Sequence, residues 1–324
     1  MKKATAMLGS LALGLGLLLN QGTAQAEPVK IRVGIGSAVE EQIWLLIARP
    51  DLGTHYGKAY TIEWNRFPGA DKRIQAFEAG AQDVITASAN GAILAASEGI
   101  DFKMVASLSR ESSQGFFTKF MVRDSSPLRN VKDLKGKKIG INGFNGSGHL
   151  WTHVVLEANG MSEKDVTLVP LPFPAQAEGL KSGTIDVGMF PQPFARMVEK
   201  DMPVRSIYSS KDAAAFDEEL MLLIAKPEWI NKNSAALKAM IEDLVAVTKY
   251  YAEHSADARQ ALIEKNMVRI DKDTYVTMQD YYRDPSMRVS LTSLEKMQDL
   301  QMRAGFQSKK VDLACRVDLA CKAK

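Results

Sequence analysis

From Val29 to Tyr208 the chain repeatedly sets a short apolar, β-branched run ahead of a segment with helical periodicity, with Gly, Pro or Ser at the junctions. This pattern restricts the fold more than any other feature. Strands that alternate with helices pack as an open, largely parallel sheet with helices on its faces. Val29–Gly36, Tyr60–Phe67, Asp83–Ala87 and Phe102–Leu108 read as strands, with helices over Glu40–Arg49, Lys72–Ala79 and Ala92–Glu98 between them. Ser37 followed by Glu40 offers a capping box for the first helix. The reading for this stretch is therefore a doubly wound α/β unit.

The rhythm then repeats. Phe117–Arg123 is a strand. In Asp133–Asn159 a strand, Lys137–Asn142, hands over through the glycine-rich loop Gly143–Gly148 to a helix beginning at His149. Strands at Asp165–Pro170, Asp186–Phe190 and Arg205–Tyr208 follow, with a helix at Gln176–Ser182, a tight turn at Pro191–Phe194 and a helical turn at Ala195–Lys200. Leu220–Ala225 is the last strand. Helices over Ala235–His254, Ala256–Lys265, Thr274–Tyr282 and Leu291–Ala304 complete the chain.

Phe120-Met121-Val122-Arg123-Asp124 and Leu223-Ile224-Ala225-Lys226-Pro227 each read as a strand ending in a basic residue before a turn, one before the middle unit and one after it. They predict two crossings, near 118–123 and 221–226. Lobe one then takes residues 27–118 and 226–324, and lobe two takes 119–225. A cleft between hinged lobes is a usual ligand site.

The first 26 residues read as a cleaved secretory signal: Met1-Lys2-Lys3, an apolar core from Leu8 to Leu19, and Ala24-Gln25-Ala26 as the cleavage site. No cysteine lies near that site, so no lipid anchor is expected, and the mature chain is expected in the periplasm. Without Lys2 and Lys3, 39 basic residues face 38 acidic ones, a net +1. That near-neutrality argues against nucleic acid as a partner. Cys315 and Cys321 both fall in the C-terminal repeat; the spacing allows a disulfide or two free thiols, with no metal or redox motif.

In open α/β sheets ligands bind beyond the carboxyl ends of strands. The junctions Ser37–Glu41, Pro68–Ala70, Ser88–Asn90 and Asn142–His149, with the turn Phe190–Phe194, are therefore expected to converge on one cleft. The candidate ligand contacts are Ser37, Glu41, Trp44, Gly69, Ala70, Ser88, Asn90, Asn142, Gly143, Asn145, Gly146, Ser147, His149, Phe190, Gln192 and Phe194. Hydroxyls, amides and helix N-termini suit a bound oxyanion. A nucleophile–base pair is lacking, so no catalytic residue is assigned and an enzyme is not expected. Competing roles exist: Ser37 and Ser88 as helix caps, and Trp44, Phe190 and Phe194 as core. His149 and His153 have a metal-compatible spacing, but H-L-W-T-H lacks the glutamate of a zinc protease, and no metal or cofactor is assigned. Lys72 and Arg73 read as solvated charges; Arg66 and Arg110 stay open. Gly143–Gly148 lacks the lysine of a nucleotide-binding P-loop.

Three ordered motifs carry a resemblance. They are Phe77-Glu78-Ala79-Gly80-Ala81-Gln82-Asp83-Val84; Asp133-Leu134-Lys135-Gly136-Lys137-Lys138-Ile139-Gly140; and Gly179–Val187 followed by Pro191-Gln192-Pro193-Phe194. Over about residues 29–310 the chain resembles the periplasmic substrate-binding proteins of ABC importers, in the nitrate/taurine/aliphatic-sulfonate (NMT1/THI5-like) group. The resemblance implies a two-lobed periplasmic-binding-protein type II α/β fold with two crossover strands and a helical C-terminal region. It also implies a monomer that captures a small anionic organic solute, a sulfonate or carboxylate, and delivers it to the importer's membrane subunits. Relatives often carry Trp-Asp-Pro where this chain has Phe190-Pro191-Gln192-Pro193, so a contact for a ligand amine is missing there. The alternative implied by the wider superfamily is a secreted binder of pyrimidines or thiamine precursors, or an enzyme on the same fold.

Overall fold

The computed structural model describes residues 27–67 and 69–321. The signal assignment to residues 1–26 and any role of Pro68 lie outside the described residues. In chain order the first part runs β1 (Val29–Ile35), α1 (Glu41–Ala48), β2 (Tyr60–Arg66), α2 (Ala70–Glu78), β3 (Val84–Ser88), α3 (Ala89–Ser97) and β4 (Lys103–Glu111). The second runs β5 (Lys119–Arg123), β6 (Lys138–Ile141), α4 (Ser147–Ala158), β7 (Thr167–Pro170), α5 (Phe173–Ser182), β8 (Gly188–Phe190), α6 (Phe194–Asp201), β9 (Val204–Ser209) and α7 (Ser210–Ala213). The last comprises β10 (Glu218–Ala225), α8 (Pro227–Glu253), α9 (Ser255–Glu264), α10 (Lys272–Thr277), α11 (Leu291–Arg303) and α12 (Leu313–Val317).

Five strands form one sheet in the order β2-β1-β3-β10-β4. β1 pairs in parallel with β2 from Val29↔Tyr60 to Ile35↔Arg66 and with β3 at Val33↔Val84. The other sheets are β8-β5-β9, antiparallel, and β6-β7, parallel, with an isolated bridge from Ile139 to Val187 between them. The two largest of four hydrophobic clusters among the described residues follow this division. Ile31, Val33, Ile43, Trp44 and the inner faces of α8 and α9 pack around the five-stranded sheet. Phe120, Ile139, Trp151, Val187 and Phe190 pack around the smaller sheets.

Several boundaries differ from the sequence reading. β10 belongs to the five-stranded sheet, antiparallel to both β3 and β4. Leu222, Leu223, Ile224 and Ala225 are all buried, on both faces of the strand, which a central position satisfies. By sheet membership the chain therefore passes between the two systems at 112–118 and 210–217, and residues 218–225 leave the segment assigned to lobe two. The capping box at Ser37 does not form. Glu40 occupies the N-cap of α1 without a side-chain cap bond. α8 begins well before the expected Ala235, at Pro227 in the first helical turn, where its missing N–H costs nothing.

The helix expected at Thr274–Tyr282 stops at Thr277, and the chain continues as a strap along the first crossing. The Phe116 N–H donates to the Asp280 carbonyl (2.7 Å) and the Arg110 N–H to the Tyr282 carbonyl (2.9 Å). Gly115 permits this approach, because a Cβ there would lie 2.5 Å from the Tyr282 nitrogen. Cys315 and Cys321 are disulfide-bonded. The loop they close caps the buried Lys103 of β4, whose Nζ donates to the carbonyls of Cys315 (2.7 Å), Asp318 (3.0 Å) and Cys321 (2.6 Å). Among the described residues no helix is long and apolar enough to cross a membrane.

Candidate functional site

The N-termini of α1, α2, α3 and α4 meet at one cavity of about 140 Å³. It is lined by Ser37 to Glu40 ahead of α1, Gly69 and Ala70 at the start of α2, Ser88 ahead of α3, and Asn142, Gly143, Gly146, Ser147 and Gly148 around the start of α4. The first N–H groups of a helix have no intrahelical acceptor, and the helix dipole is positive there. Neither α2 nor α4 has a side chain capping its first turn. Apolar groups complete the walls: Val39, Phe67, Phe144, Trp151, Phe173, Met189, Leu220 and Met221. The cavity thus joins an electropositive floor to an apolar body.

Among the described residues lining it, the charged ones are Glu40 and Arg73. Arg73 comes from the first turns of α2 and is 5% exposed. The reading of Arg73 as a solvated charge is thereby overturned. Its side chain runs past Gly34, and its guanidinium occupies space that the missing Cβ of Gly36 leaves. A Cβ on Gly34 would meet Arg73 Cγ at 3.4 Å, and one on Gly36 would meet Nη1 at 2.3 Å. The signal in the sequence was that G-x-G at a strand end, but nothing local links it to an arginine some forty residues on. Arg73 Nη1 lies 3.4 Å from Glu40 Oε1, a long contact, and the buried Nε has no hydrogen-bond partner. Burial pulls the guanidinium below its ordinary range, against the opposing pull of Glu40.

Glu40 is better served. Its carboxylate accepts from the Gly36 N–H (2.7 Å) and the Thr86 hydroxyl (2.7 Å) in addition to Arg73. Burial nevertheless pushes it above the usual carboxylate range, with Arg73, Gly36, Thr86 and Arg66 pulling the other way.

Ser88 acts as the N-cap of α3, accepting from the Gly91 N–H, and also faces the cavity. Asn90 lies behind it. Its Nδ2 donates to Ser147 Oγ (3.1 Å), joining α3 to α4, and Gln301 Nε2 donates to its carbonyl and Oδ1, both at 3.0 Å. Asn145 borders an adjoining groove beyond Phe144. With φ at +61° it donates its N–H to His149 Nδ1 (3.0 Å).

The remaining expected contacts lie elsewhere. Glu41 is buried in an ion pair with Arg283. A side chain one residue past Glu40 on a helix points about 100° away, which sends it toward the C-terminal helices. Trp44 is core, 1% exposed, with Arg66 stacked over its ring at 5.1 Å. Arg110 is engaged by Glu219 and Asp284. Phe190 is fully buried in the second core. Phe194 stacks on the lining residue Phe173 at 5.7 Å. Gln192 bonds the strap, donating to the Gln279 carbonyl (3.1 Å). His149 and His153 both turn to Glu163, at 3.0 and 2.8 Å. Among the described residues no cluster of three or more His, Cys, Asp or Glu is placed to hold a metal.

Behind the lining Trp151, the indole N–H donates to Glu218 (3.0 Å). Burial and the neighbouring Glu111 push the Glu218 carboxyl up to about 8, with Lys211, Trp151 and Asn90 opposing.

Residues 64–258 match the family model described as NMT1/THI5 like. A stretch of 88 residues, 27% of this chain, is 38% identical to the riboflavin-binding protein RibY of Chloroflexus aurantiacus. That match spans 24% of RibY, well short of its whole length. The alkanesulfonate-binding protein SsuA from Xanthomonas axonopodis pv. citri, solved bound to MOPS, superposes with a TM-score of 0.73 at 20% identity, over 90% of this chain and 99% of that one. The periplasmic nitrate-binding protein NrtA from Synechocystis PCC 6803 gives 0.71 at 12% identity, over 89% and 84%. The likeness to these structures establishes the fold: a mixed α/β periplasmic-binding-protein architecture with a helical C-terminal region.

Proposed function

Because the chain belongs to the NMT1/THI5-like family, we propose that it is a periplasmic solute-binding protein of an ABC importer, one that captures a small organic anion in the cavity between its two sheet systems. The observation that carries this reading is the buried, under-partnered Arg73 among converging helix N-termini and apolar walls. Together these fit an acid group on an apolar body, a sulfonate or a carboxylate, better than nitrate, which has no body for the aromatic walls. Ser37, Gly69, Ala70, Ser88, Asn142, Gly143, Gly146 and Ser147 would contact the solute directly. Residues around the five-stranded sheet act as one lobe and those around the smaller sheets as the other. A solute that touches both favours the closed form by its differential affinity. The closed form is what the importer's membrane subunits receive. No covalent step is involved.

A second reading keeps the binding role with a neutral aromatic heterocycle as solute. The short stretch shared with RibY and the ring-bearing walls Phe67, Phe144, Trp151 and Phe173 favour it. Thermal unfolding against a panel of sulfonates, carboxylates, pyrimidines and riboflavin separates the two. At a hundred times Kd a ligand adds about 2.7 kcal/mol, or about 4 °C for a chain of this length. Stabilisation by anions is expected. A shift with heterocycles and none with any anion would replace the first reading by the second.

A further inference from the structure

The buried pair in the cavity is unequal in a way that bears on how a solute is taken up. Glu40 holds two neutral donors of its own, the Gly36 N–H and the Thr86 hydroxyl, each at 2.7 Å. Among the described residues Arg73 holds one long contact, to Glu40 at 3.4 Å, and keeps a buried Nε without a hydrogen-bond partner. We infer that Glu40 stands in beside Arg73 for a solute's acid group, and that it takes up one proton when a monoanionic solute binds there. This rests on the reading of the cavity as an anion site.

Charge matching is the first argument. Arg73 and an ionised Glu40 sum to zero, whereas Arg73 and a protonated Glu40 leave one positive charge for one negative solute. A second buried anion beside an ionised Glu40 would meet like-charge repulsion in a poorly hydrated space, where such repulsion is strong. The second argument is that the site can house the proton. A protonated carboxyl needs an acceptor for its O–H, and a hydroxyl both donates and accepts. The Thr86 hydroxyl can turn from donor to acceptor while the Gly36 N–H keeps the other carboxyl oxygen. Both oxygens of the Glu40 carboxyl then keep a hydrogen-bond partner.

The charged groups that face Glu40 are Arg73 from α2 and, acting through space, Arg66 from β2; Thr86 of β3 and the Gly36 amide are its neutral partners. Burial already lifts the carboxyl above its ordinary range. A solute that takes over Arg73 removes the largest opposing pull and lifts it further. Between those two values the loaded protein holds one more proton than the empty one. Affinity therefore falls as pH rises, by up to tenfold per unit.

The test is calorimetric titration of the full purified chain with hexanesulfonate, which does not titrate in the working range. The heat is compared in cacodylate and imidazole at pH 6.5, and affinity is followed from pH 5.5 to 8. The expected result is uptake approaching one proton per sulfonate within that range. Glu40→Gln, of nearly the same shape, is expected to bind with no proton uptake and a flat pH profile. Sulfonate binding with zero protons at every pH would overturn the exchange while leaving the anion site standing, and this outcome needs no variant. Proton uptake that survives in Glu40→Gln would assign the proton elsewhere and overturn it too. Absence of any sulfonate binding would remove the anion site itself, and the exchange with it.

Discussion

Replacing Arg73 by Met separates a ligand-binding arginine from a structural one. Among the described residues the guanidinium contributes one contact at 3.4 Å. Against that stands the cost of burying a cation, several kcal/mol when its donors are not all filled. Met fills similar volume without that cost. At pH 5.5 Arg73→Met is therefore expected to melt at or slightly above the temperature of the unmodified chain. Binding behaves oppositely. A charge-assisted hydrogen bond is worth about 1.5–3 kcal/mol, so affinity for hexanesulfonate is expected to fall about 10- to 150-fold. A pH dependence follows from Glu40. With Arg73 gone its carboxyl rises further above the usual range. The folded chain then keeps a proton that the unfolded chain has already released, so stability falls as pH rises between the unfolded and folded values. Melting temperature should drop more between pH 5.5 and 8 in Arg73→Met than in the parent. Differential scanning calorimetry at both pH values and titration calorimetry supply the numbers. Sulfonate affinity within threefold of the parent would refute the assignment. So would a loss of more than about 3 kcal/mol at pH 5.5, beyond what one long contact is worth.

Three further outcomes follow from the same geometry. Gly36→Ala puts a Cβ 2.3 Å from Arg73 Nη1, the far end of a long side chain, so the guanidinium swings aside. Anion affinity should fall at least tenfold with a stability change of about 1–3 kcal/mol, read by titration and thermal melts. Glu218, pushed up to about 8 by burial and Glu111, makes the parent lose stability as pH rises from the unfolded carboxylate range toward 8. Glu218→Gln should flatten that decline while still accepting from Trp151, and a melting series from pH 5 to 8.5 checks it. Replacing both Cys315 and Cys321 by Ser opens a six-residue loop, worth about 2 kcal/mol by chain entropy. It also loosens the carbonyl cap on Lys103, so melting temperature should fall while sulfonate affinity is unchanged.

The strand–helix rhythm was legible because it is local. The apolar run Val29–Ile35, the pair Asn159-Gly160 after α4 and the match of Leu291–Arg303 to its expected helix each depend on neighbours in sequence. The small residues of the cavity were legible for the same reason: Ser37, Gly69 and Ser88 fall at strand-to-helix junctions of the five-stranded sheet, and Asn142 and Gly146 at the β6–α4 junction of a smaller one. Other features were decided between distant segments. β10 had the composition of a strand, but its place between β3 and β4 came from the cost of exposing either face of Leu222–Ala225. Trp44 and Phe190 differ from true lining residues only in which face of their element meets the core. Glu40 and Glu41 are adjacent and chemically alike, yet one turns to the cavity and the other to Arg283, a helical rotation apart. Arg73 was hidden most deeply. Its sequence, Asp71-Lys72-Arg73, reads as solvated charge. Only the fold brings it against Gly36, where a missing side chain makes room for the guanidinium, and leaves its buried Nε without a hydrogen-bond partner. The sequence alone settled the order of the strands and of the main helices, though not the short α7 and α12 or the end of α10, because periodicity and turn chemistry are properties of short stretches. The tertiary structure decided which side chain carries the charge in the cavity, because burial and missing partners are properties of the packed whole.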